Sequence, residues 1–326
     1  MSRLVTILGG SGFVGRHVAR GMAREGWRVR VATRVPDEHL FVRTYGEVGQ
    51  VEPVACNIRD EESVRDALHG ADAVVNCVGI LSELRRNTFE AVQDEGAGRV
   101  ARLAADAGVG TMVHVSAIGA DANAPSEYAR SKAAGEAAVL GHMPDAVILR
   151  PSVIFGPEDE FFNRFATMSR FGPVLAIVGA ETKFQPVYVD DVARAAVLGA
   201  TGQVAPGVYE LGGPDVASFR EWMELMLRIV RRKRHVANLP AGIARLVAGG
   251  FGLVQKASFG NFTAPLTRDQ IVNLGRDNVV GEGAKTFADL GIEPLSAAAV
   301  LPDYLWRYRP SGQFETLTES AENLKV

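Results

Sequence analysis

The sequence has little cysteine and no recognisable metal-binding pattern. Its two cysteines among 326 residues do not make a disulfide framework. Cys56 and Cys77 each end a predicted strand, and we expect both to be buried free thiols because unpaired cysteine is so often buried. The six histidines are scattered, without an HExxH pattern, so no metal site is expected.

An excess of charge and long apolar runs are also lacking. The formal net charge of −3 gives no global reason to expect a nucleic-acid partner. No uncharged apolar run reaches about 18 residues, so no transmembrane helix is predicted. The N-terminal residues have neither the apolar region of a signal peptide nor the composition of a transit peptide. We therefore expect a cytoplasmic protein of a prokaryote-like cell.

The first two thirds of the chain alternate short apolar runs with helical periodicity, which predicts βαβ units and a parallel sheet. Strands are predicted at 4–8, 27–33, 51–56, 73–78, 112–116 and 147–150, and helices from 12, over 61–68 and 90–107, and from 126. Beyond residue 151, helices are predicted at 160–170, 191–200 and 218–234, and strands at 186–189 and 207–211. The predicted fold class is α/β, a Rossmann doubly wound parallel sheet with a smaller, mostly helical C-terminal domain.

A glycine-rich turn of the form GxxGxxG directly follows the first predicted strand. Its residues are Gly9, Gly10, Ser11, Gly12, Phe13, Val14 and Gly15. Glycine permits a tight turn and close backbone approach to a pyrophosphate, which lies on the positive N-terminus of the next helix. The position of the motif between an apolar strand and an amphipathic helix favours a dinucleotide site over a glycine-rich turn without a ligand.

The end of the second predicted strand carries no acidic residue, although an NAD site usually places one there for the ribose 2′-hydroxyl. Arg34 follows that strand instead. A guanidinium can hold a 2′-phosphate with two hydrogen bonds, whereas a carboxylate would repel it. We therefore predict NADP(H), held at its phosphate by Arg34. The alternative is an ordinary exposed loop arginine.

The ends of the third and fourth strands supply further candidate contacts. Asn57 is placed to hydrogen-bond the adenine amino group and Ile58 to pack on the ring, while a helix N-cap by Asn57 or Asp60 is an equal alternative. The fourth strand ends in Asn76, Cys77, Val78 and Gly79, on the side of the sheet where nucleotides bind. Gly79 would let the backbone approach a ribose.

Three residues form a candidate chemical centre. Ser116 ends the fifth predicted strand, and Tyr128 and Lys132 lie four residues apart on one face of the next helix. A nearby ammonium is expected to lower the pKa of the phenol, so that Tyr128 can exchange a proton while Ser116 hydrogen-bonds the substrate. Lys132 also suits ribose hydroxyls as a donor. The alternative is a surface tyrosine and lysine at helical spacing.

These motifs, taken in order, resemble the extended short-chain dehydrogenase/reductases. The resemblance adds the segments LRP at 149–151, FGP at 155–157, VDDV at 189–192 and YELGG at 209–213. It covers about two thirds of the chain. By this resemblance, Pro151 and Ile154 lie near the nicotinamide carboxamide.

A narrower resemblance is to the dehydrogenase-like accessory subunit of respiratory complex I (NADH:ubiquinone oxidoreductase). It rests on residues 152–192, PLTRDQ at 265–270, DNVV at 277–280 and LGI at 290–292. It implies NADPH as a structural ligand and peripheral-arm subunits as partners, near the membrane and the quinone site. A bacterial counterpart would lie on the cytoplasmic side of the inner membrane. The intact Ser116, Tyr128 and Lys132 keep open the alternative of a free NADP-dependent reductase or epimerase.

A basic run precedes a sparsely charged stretch in the C-terminal part. Arg231, Arg232, Lys233 and Arg234 stand before a candidate amphipathic helix at 241–256. This arrangement suits an anionic lipid surface or a partner, and a helix that covers its own core is an equal alternative. We predict an NADP(H)-binding Rossmann domain at 1–235, with 156–183 contributing to the second domain, and a partner or substrate domain at 236–326.

Overall fold

The computed structural model describes residues 2–240, 242, 244, 249, 267–310 and 312. Its central sheet contains β1 (Leu4–Leu8), β2 (Arg28–Thr33), β3 (Val51–Ala55), β4 (Ala73–Asn76), β5 (Thr111–Val115), β6 (Val147–Pro151) and β11 (Gly207–Leu211). Short strands outside it are β7 (Ile154–Phe155), β8 (Val174–Ile177), β9 (Lys183–Phe184), β10 (Val187–Tyr188), β12 (Ala217–Ser218) and β13 (His235–Asn238).

The central sheet has seven parallel strands in the order β11-β6-β5-β4-β1-β2-β3. The strand order reverses between β1 and β4, and in such sheets a ligand binds in the crevice beyond the carboxyl ends of these strands. The glycine-rich turn follows β1 at this position. The doubly wound Rossmann sheet predicted from the sequence is confirmed.

The helices that cover the sheet begin largely where the sequence predicts. They are α1 (Phe13–Arg24), α2 (Glu61–Leu68), α3 (Glu95–Asp106), α4 (Glu127–His142) and α6 (Val189–Ala200). Asp60 caps α2 by accepting a hydrogen bond from Ser63 N, and Ser126 caps α4 in the same way. The remaining α-helices of the described residues are α5 (Phe162–Met168), α7 (Phe219–Ile229), α8 (Arg268–Asn273) and α9 (Ala297–Leu305). Described 3-10 segments occupy Pro36–Tyr45, Phe287–Leu290 and Trp306–Tyr308.

The predicted helix over 90–107 contains an irregular first turn. Glu90–Asp94 is a π-helical turn, and α3 continues from it. At Gln93 the backbone carbonyl lies directly against Gly135 of α4, where a Cβ would have no room. The π turn therefore lies at the closest approach of two helices, and π turns are frequent at functional sites.

The helix predicted over 218–234 is shorter in the structure. It begins after Ser218, which forms a capping box with Glu221, but α7 ends at Ile229. Arg231 has a left-handed φ of 53°. Basic residues three and four positions apart repel one another on a helix, and His235–Asn238 pairs with Val174–Ile177 as a parallel strand instead.

The described residues form three large hydrophobic clusters. Two lie on the opposite faces of the central sheet. The third surrounds Phe155, Phe162 and Trp222 and includes Tyr304 of α9. The C-terminal part also returns to the central sheet, because Phe287 is buried in the same cluster as the β1 side chains and Glu210 N of β11 donates to the Lys285 carbonyl oxygen at 2.8 Å. The boundary predicted at residue 235 stays a prediction.

Three smaller expectations remain, and the structure describes the residues of the first two. Both cysteines are free thiols, but Cys56 is buried and Cys77 is only half-buried, because Cys77 lies beyond the end of β4 at the open edge of the sheet. Within the described ranges no helix is long and apolar enough to cross a membrane. The amphipathic helix predicted at 241–256 lies outside the described residues, apart from three isolated positions.

Candidate nucleotide site

The glycine-rich turn is a close-packed backbone loop with one open position. Gly9 has a φ of 70°, which glycine adopts without strain. A Cβ on Gly15 would lie 2.6 Å from Gly10 Cα, so glycine is required where the helix meets the turn. Gly12 is exposed, and a Cβ on it would meet only the Gly9 carbonyl oxygen, at 3.2 Å. The side of the turn at Gly12 is therefore free for a ligand at the N-terminus of α1.

Other residues of the turn are fixed by their neighbours. Ser11 Oγ hydrogen-bonds Thr33 Oγ1 at 3.0 Å, which joins the turn to the end of β2. Phe13 lies against Gly156, where a Cβ would be 3.3 Å from Phe13 Cζ. Val14 packs beside the core on the inner face of the sheet. The turn is thus pre-formed by contacts within the chain.

Arg16 has a role that the sequence pattern did not reveal. Its spacing with Arg20 and Arg24 predicts a solvated stripe on α1. In the structure the Arg16 guanidinium bends back to donate to the Ser11 carbonyl oxygen at 3.1 Å and lies 5.3 Å from the Phe41 ring centroid. Arg20 lies 5.0 Å from the Tyr45 ring centroid. Both side chains are half-buried, because rings of the 3-10 segment lie along this face of the helix.

Arg34 and the adenine-side residues lie around the end of β2 and β3. Arg34 is exposed directly after β2. Asn57 Oδ1 accepts the Arg59 N–H at 3.2 Å, whereas Asp60 is the residue that caps α2. Ile58 is buried, with 7% of its surface exposed. The Asn57 side chain therefore shapes a turn through its oxygen, and its contact with adenine stays a prediction.

The end of β4 is fixed by a buried polar pair. Asn76 Nδ2 hydrogen-bonds His114 Nδ1 at 3.1 Å, and Asn76 Oδ1 accepts the Val78 N–H at 3.1 Å. Burial lowers the pKa of His114 to about 3, with Lys132 acting in the same direction, so the imidazole is neutral. Burial also raises the pKa of the Cys77 thiol to about 12, which makes it a poor nucleophile.

The structure brings the three candidate chemical residues together. Lys132 is buried and its Nζ lies 5.9 Å from the Tyr128 ring centroid. Nζ also donates to the Val115 carbonyl oxygen at 3.2 Å, one residue before Ser116. The backbone N–H of Ser116 donates to Leu149 O at 2.7 Å, which fixes it beside β6. A Cβ on Gly79 would be 3.3 Å from Lys132 Nζ, so the end of β4 borders the same space.

The expected effect of Lys132 on Tyr128 is not found. Burial raises the pKa of the Tyr128 phenol to about 12, where the sequence had predicted a lowered pKa. Burial also lowers the pKa of the Lys132 ammonium to about 8, against the opposing effects of Glu136 and Cys77. Removal from water is the largest cause of both shifts, and neither group is among the causes of the other's shift.

Two residues near the proposed nicotinamide position complete the site. Pro151 ends β6 and is buried, and its neighbour Ser152 donates to Asn278 Oδ1 at 2.6 Å. Ile154 is half-buried and packs at the edge of the core on the α1 face. Their contact with the carboxamide stays a prediction.

The residues present fit a dinucleotide. Ser116 Oγ and Gln93 Oε1 are buried and have no hydrogen-bond partner among the described residues. Gln93 Oε1 lies 3.6 Å from the Cβ position of Gly79, so this atom borders the space next to Lys132. Buried polar atoms normally have partners, and ribose and carboxamide groups would supply them. Among the described residues, no three His, Cys, Asp or Glu side chains lie close enough together to hold a metal ion.

A family model described as the NAD dependent epimerase/dehydratase family matches residues 5–212. The chain belongs to this family. Epimerase/dehydratase proteins of known structure share its fold. One is a dTDP-glucose 4,6-dehydratase from Streptomyces venezuelae, solved with NAD and TYD bound. It matches with a TM-score of 0.69 and 21% sequence identity, and the match covers 96% of this chain and 99% of the dehydratase chain. A nicotinamide dinucleotide is the cofactor of this epimerase/dehydratase fold.

Two other proteins are more similar to this chain in sequence. The mitochondrial NADH dehydrogenase [ubiquinone] 1 alpha subcomplex subunit 9 of Arabidopsis thaliana is 35% identical over 321 residues, covering 95% of this chain and 79% of that protein. A ceramide reductase of Caulobacter vibrioides is 32% identical over 244 residues, covering 74% of this chain and 73% of that enzyme. The resemblance to the complex I accessory subunit predicted from the sequence is confirmed.

Proposed function

We propose that this chain is an NADPH-binding accessory subunit of respiratory complex I. In this role it stabilises the peripheral arm near the membrane and the quinone site, and its cofactor is structural. The observation that carries the proposal is the extent of the similarity to the plant subunit, which reaches 95% of this chain, whereas the family model ends at residue 212. The similarity thus includes the C-terminal part at 35% overall identity, whereas the dehydratase that covers 96% of this chain is only 21% identical.

The choice of NADPH over NADH rests on the end of β2. Arg34 is exposed there, and 28–36 contains no carboxylate. Arg34 is the residue that would pair with a 2′-phosphate, while the turn at Gly12 would receive the pyrophosphate. Ser116 Oγ and Lys132 Nζ would hold the nicotinamide ribose end of the same nucleotide. When bound, the nicotinamide can supply a hydride.

A structural role for the cofactor agrees with the protonation of the site. With a pKa near 12, Tyr128 keeps its proton at neutral pH and acts as a hydrogen-bond donor. Lys132, with a pKa near 8, is still mostly charged there and tied to the Val115 carbonyl oxygen. Both groups can therefore hold a ribose without moving a proton. A nucleotide that stays bound stabilises the folded chain by an amount that grows with its concentration relative to its dissociation constant.

The second candidate function is a free NADP-dependent short-chain dehydrogenase/reductase or epimerase. It is favoured by the gathering of Ser116, Tyr128 and Lys132 in one place, with Ser116 Oγ unpartnered among the described residues. The similarity to a ceramide reductase points the same way. In this case Tyr128 would exchange the proton and Ser116 would hold the substrate oxygen.

We place the subunit on the cytoplasmic side of a bacterial inner membrane, as a peripheral protein bound to peripheral-arm subunits. A contact with anionic lipid is proposed at the basic run after α7. This run lines an open groove of about 850 Å³. The lining residues are Glu224, Leu227, Arg228, Arg231, Arg232, Lys233, Arg234 and His235. Cations in such a groove attract lipid phosphates, and salt weakens the attraction.

The decisive experiment is mild detergent extraction of native membranes, followed by identification of the proteins that co-migrate with this chain. Co-migration with complex I is the expected result. In the same membranes, Tyr128→Phe should leave quinone reductase activity and most of the bound NADPH in place. The ring packing survives, and the lost hydroxyl removes one hydrogen bond, of about 1 kcal/mol, from a nucleotide held at several other positions. Migration of the chain alone, with function lost in Tyr128→Phe, would favour the free enzyme.

A further inference from the structure

A carboxylate from the C-terminal part caps the helix that carries the candidate chemical residues. Asp269 Oδ2 accepts hydrogen bonds from Ser126 Oγ at 2.8 Å and from Tyr128 N at 3.2 Å, and Oδ1 accepts one from Glu127 N at 2.7 Å. These partners form the N-cap and first turn of α4, more than 140 residues away in sequence. A negative charge is favourable at a helix N-terminus, so Asp269 is well placed to fix this end of α4.

The same segment also reaches the opposite wall of the site. Thr267 and Gln270 form a capping box that shapes the start of α8. The Gln270 Nε2 group then donates to the Leu81 carbonyl oxygen at 3.4 Å, two residues beyond Gly79. Residues 267–270, which we call the strap, therefore join α4 to the loop after β4. These are two elements that border the space around Lys132.

Tyr128 is held through both ends of its backbone. Asp269 accepts its N–H, and Ser131 Oγ donates to its carbonyl oxygen at 2.8 Å. Gln93 Nε2 donates to Ser131 Oγ at 3.1 Å, and Gln93 Oε1 is the buried unpartnered atom beside Gly79. A connected set of hydrogen bonds thus runs from the strap to the part of the site where the nicotinamide end of a nucleotide would lie.

We propose that the strap makes nucleotide binding and docking of the C-terminal part mutually dependent. Asp269 is the positioning residue: it holds Tyr128 and Lys132 in the place that a bound nicotinamide nucleotide needs. Docking of the strap raises the affinity for the nucleotide by some factor. Because linkage is reciprocal, nucleotide binding raises the equilibrium constant for docking of the strap by the same factor. The proposal rests on the proposed NADPH binding, and it gives a structural cofactor a way to act on the C-terminal part of the chain.

The test uses the full chain, with Asp269→Asn and Asp277→Asn as a matched pair. Asp277 Oδ1 accepts the Lys183 N–H at 2.8 Å. This hydrogen bond also joins the C-terminal part to an earlier part of the chain, but it does not involve α4. NADPH affinity and the emission of the bound nicotinamide are measured by fluorescence, and strap docking by hydrogen exchange of residues 267–274. We expect Asp269→Asn to weaken NADPH about tenfold, change the nicotinamide emission and abolish the NADPH-dependent protection of the strap.

The control variants make the result specific. Asp277→Asn should bind NADPH like the wild type, and Asp269→Glu, which keeps the carboxylate, should recover part of the affinity. If Asp269→Asn does not fold, Gln270→Ala, which removes only the Leu81 tie and the capping-box return, should show a smaller loss of the same protection. The strap proposal alone would be overturned if Asp269→Asn, or Gln270→Ala in its place, kept the NADPH affinity and the hydrogen-exchange protection of the wild type. An equal loss of NADPH affinity in Asp277→Asn would also overturn it. Failure of the wild type to bind NADPH would overturn both proposals.

Discussion

Gly12→Val is expected to remove nucleotide binding without harming the folded apoprotein. Gly12 has φ −72° and ψ 179°, an extended conformation that valine also adopts. On the protein side, its Cβ would meet only the Gly9 carbonyl oxygen, at 3.2 Å, which calls for a small shift. On the open side, the branched side chain would occupy the position of the pyrophosphate, so the loss of binding is direct.

The expected size of the effect follows from linkage. At NADPH one hundred times its dissociation constant, binding stabilises a protein by about 2.7 kcal/mol. Since 1 kcal/mol corresponds to about 2–4 °C in larger domains, wild-type Tm should rise by roughly 5 °C or more, and the variant's Tm by none. Thermal unfolding followed by circular dichroism, with and without NADPH, measures both values.

A second glycine provides the contrasting control. A Cβ on Gly15 would lie 2.6 Å from Gly10 Cα, so Gly15→Ala should lower the Tm of the apoprotein itself. If Gly12→Val kept the full NADPH-dependent rise in Tm, the pyrophosphate would not lie on this turn. The assignment of the nucleotide site would then be wrong.

Two further predictions concern charge. Arg34→Glu should weaken NADPH by like-charge repulsion and improve NADH relatively, and chromatography of nucleotide released from denatured protein checks this; mainly NAD(H) from the wild type would contradict the assignment. The pKa of Lys132 is near 8 in the folded protein and about 10.5 in the unfolded chain. Between pH 8 and 10.5 the unfolded state therefore binds more protons, and the free energy of unfolding rises with pH. Apo Lys132→Met should therefore be more stable than the wild type at pH 7, by roughly 3 kcal/mol at most. The gap should shrink from pH 8 to 10 in denaturant unfolding, and a constant gap would contradict the reasoning.

Local sequence signals predicted the elements whose causes are local. β1, α2 and β11 have the predicted bounds, and Ser126 and Ser218 cap the predicted helices. The end of α7 was missed because residues 230–234 lead from the helix into a strand at His235–Asn238, whose pairing with Val174–Ile177 helical periodicity does not show. Tertiary pairing overrides local preference in such cases.

In the candidate site, too, the sequence predicted the features that depend on local motifs and missed those that depend on tertiary packing. The glycine turn and the placement of Ser116, Tyr128 and Lys132 follow from motif order along the chain. The pKa of Tyr128 does not, because it depends on burial, which only the packed structure defines. Asp269 was also missed as a contact of Tyr128, since a hydrogen bond across 141 residues leaves no periodic signal. The π turn at Gln93 likewise depends on the approach of Gly135 from another helix.

The return of the C-terminal part to the central sheet has a consequence for synthesis of the protein. β11 is an edge strand, and the residue that pairs beside Tyr209 is Lys285. A ribosome adds about 5–20 residues each second, so roughly 4–15 s pass between completion of β11 and the arrival of Lys285. During that interval the outer edge of β11 is unpaired in each nascent chain. The apolar surface that Phe287 and Leu290 later cover is also exposed, and chaperones bind surfaces of both kinds.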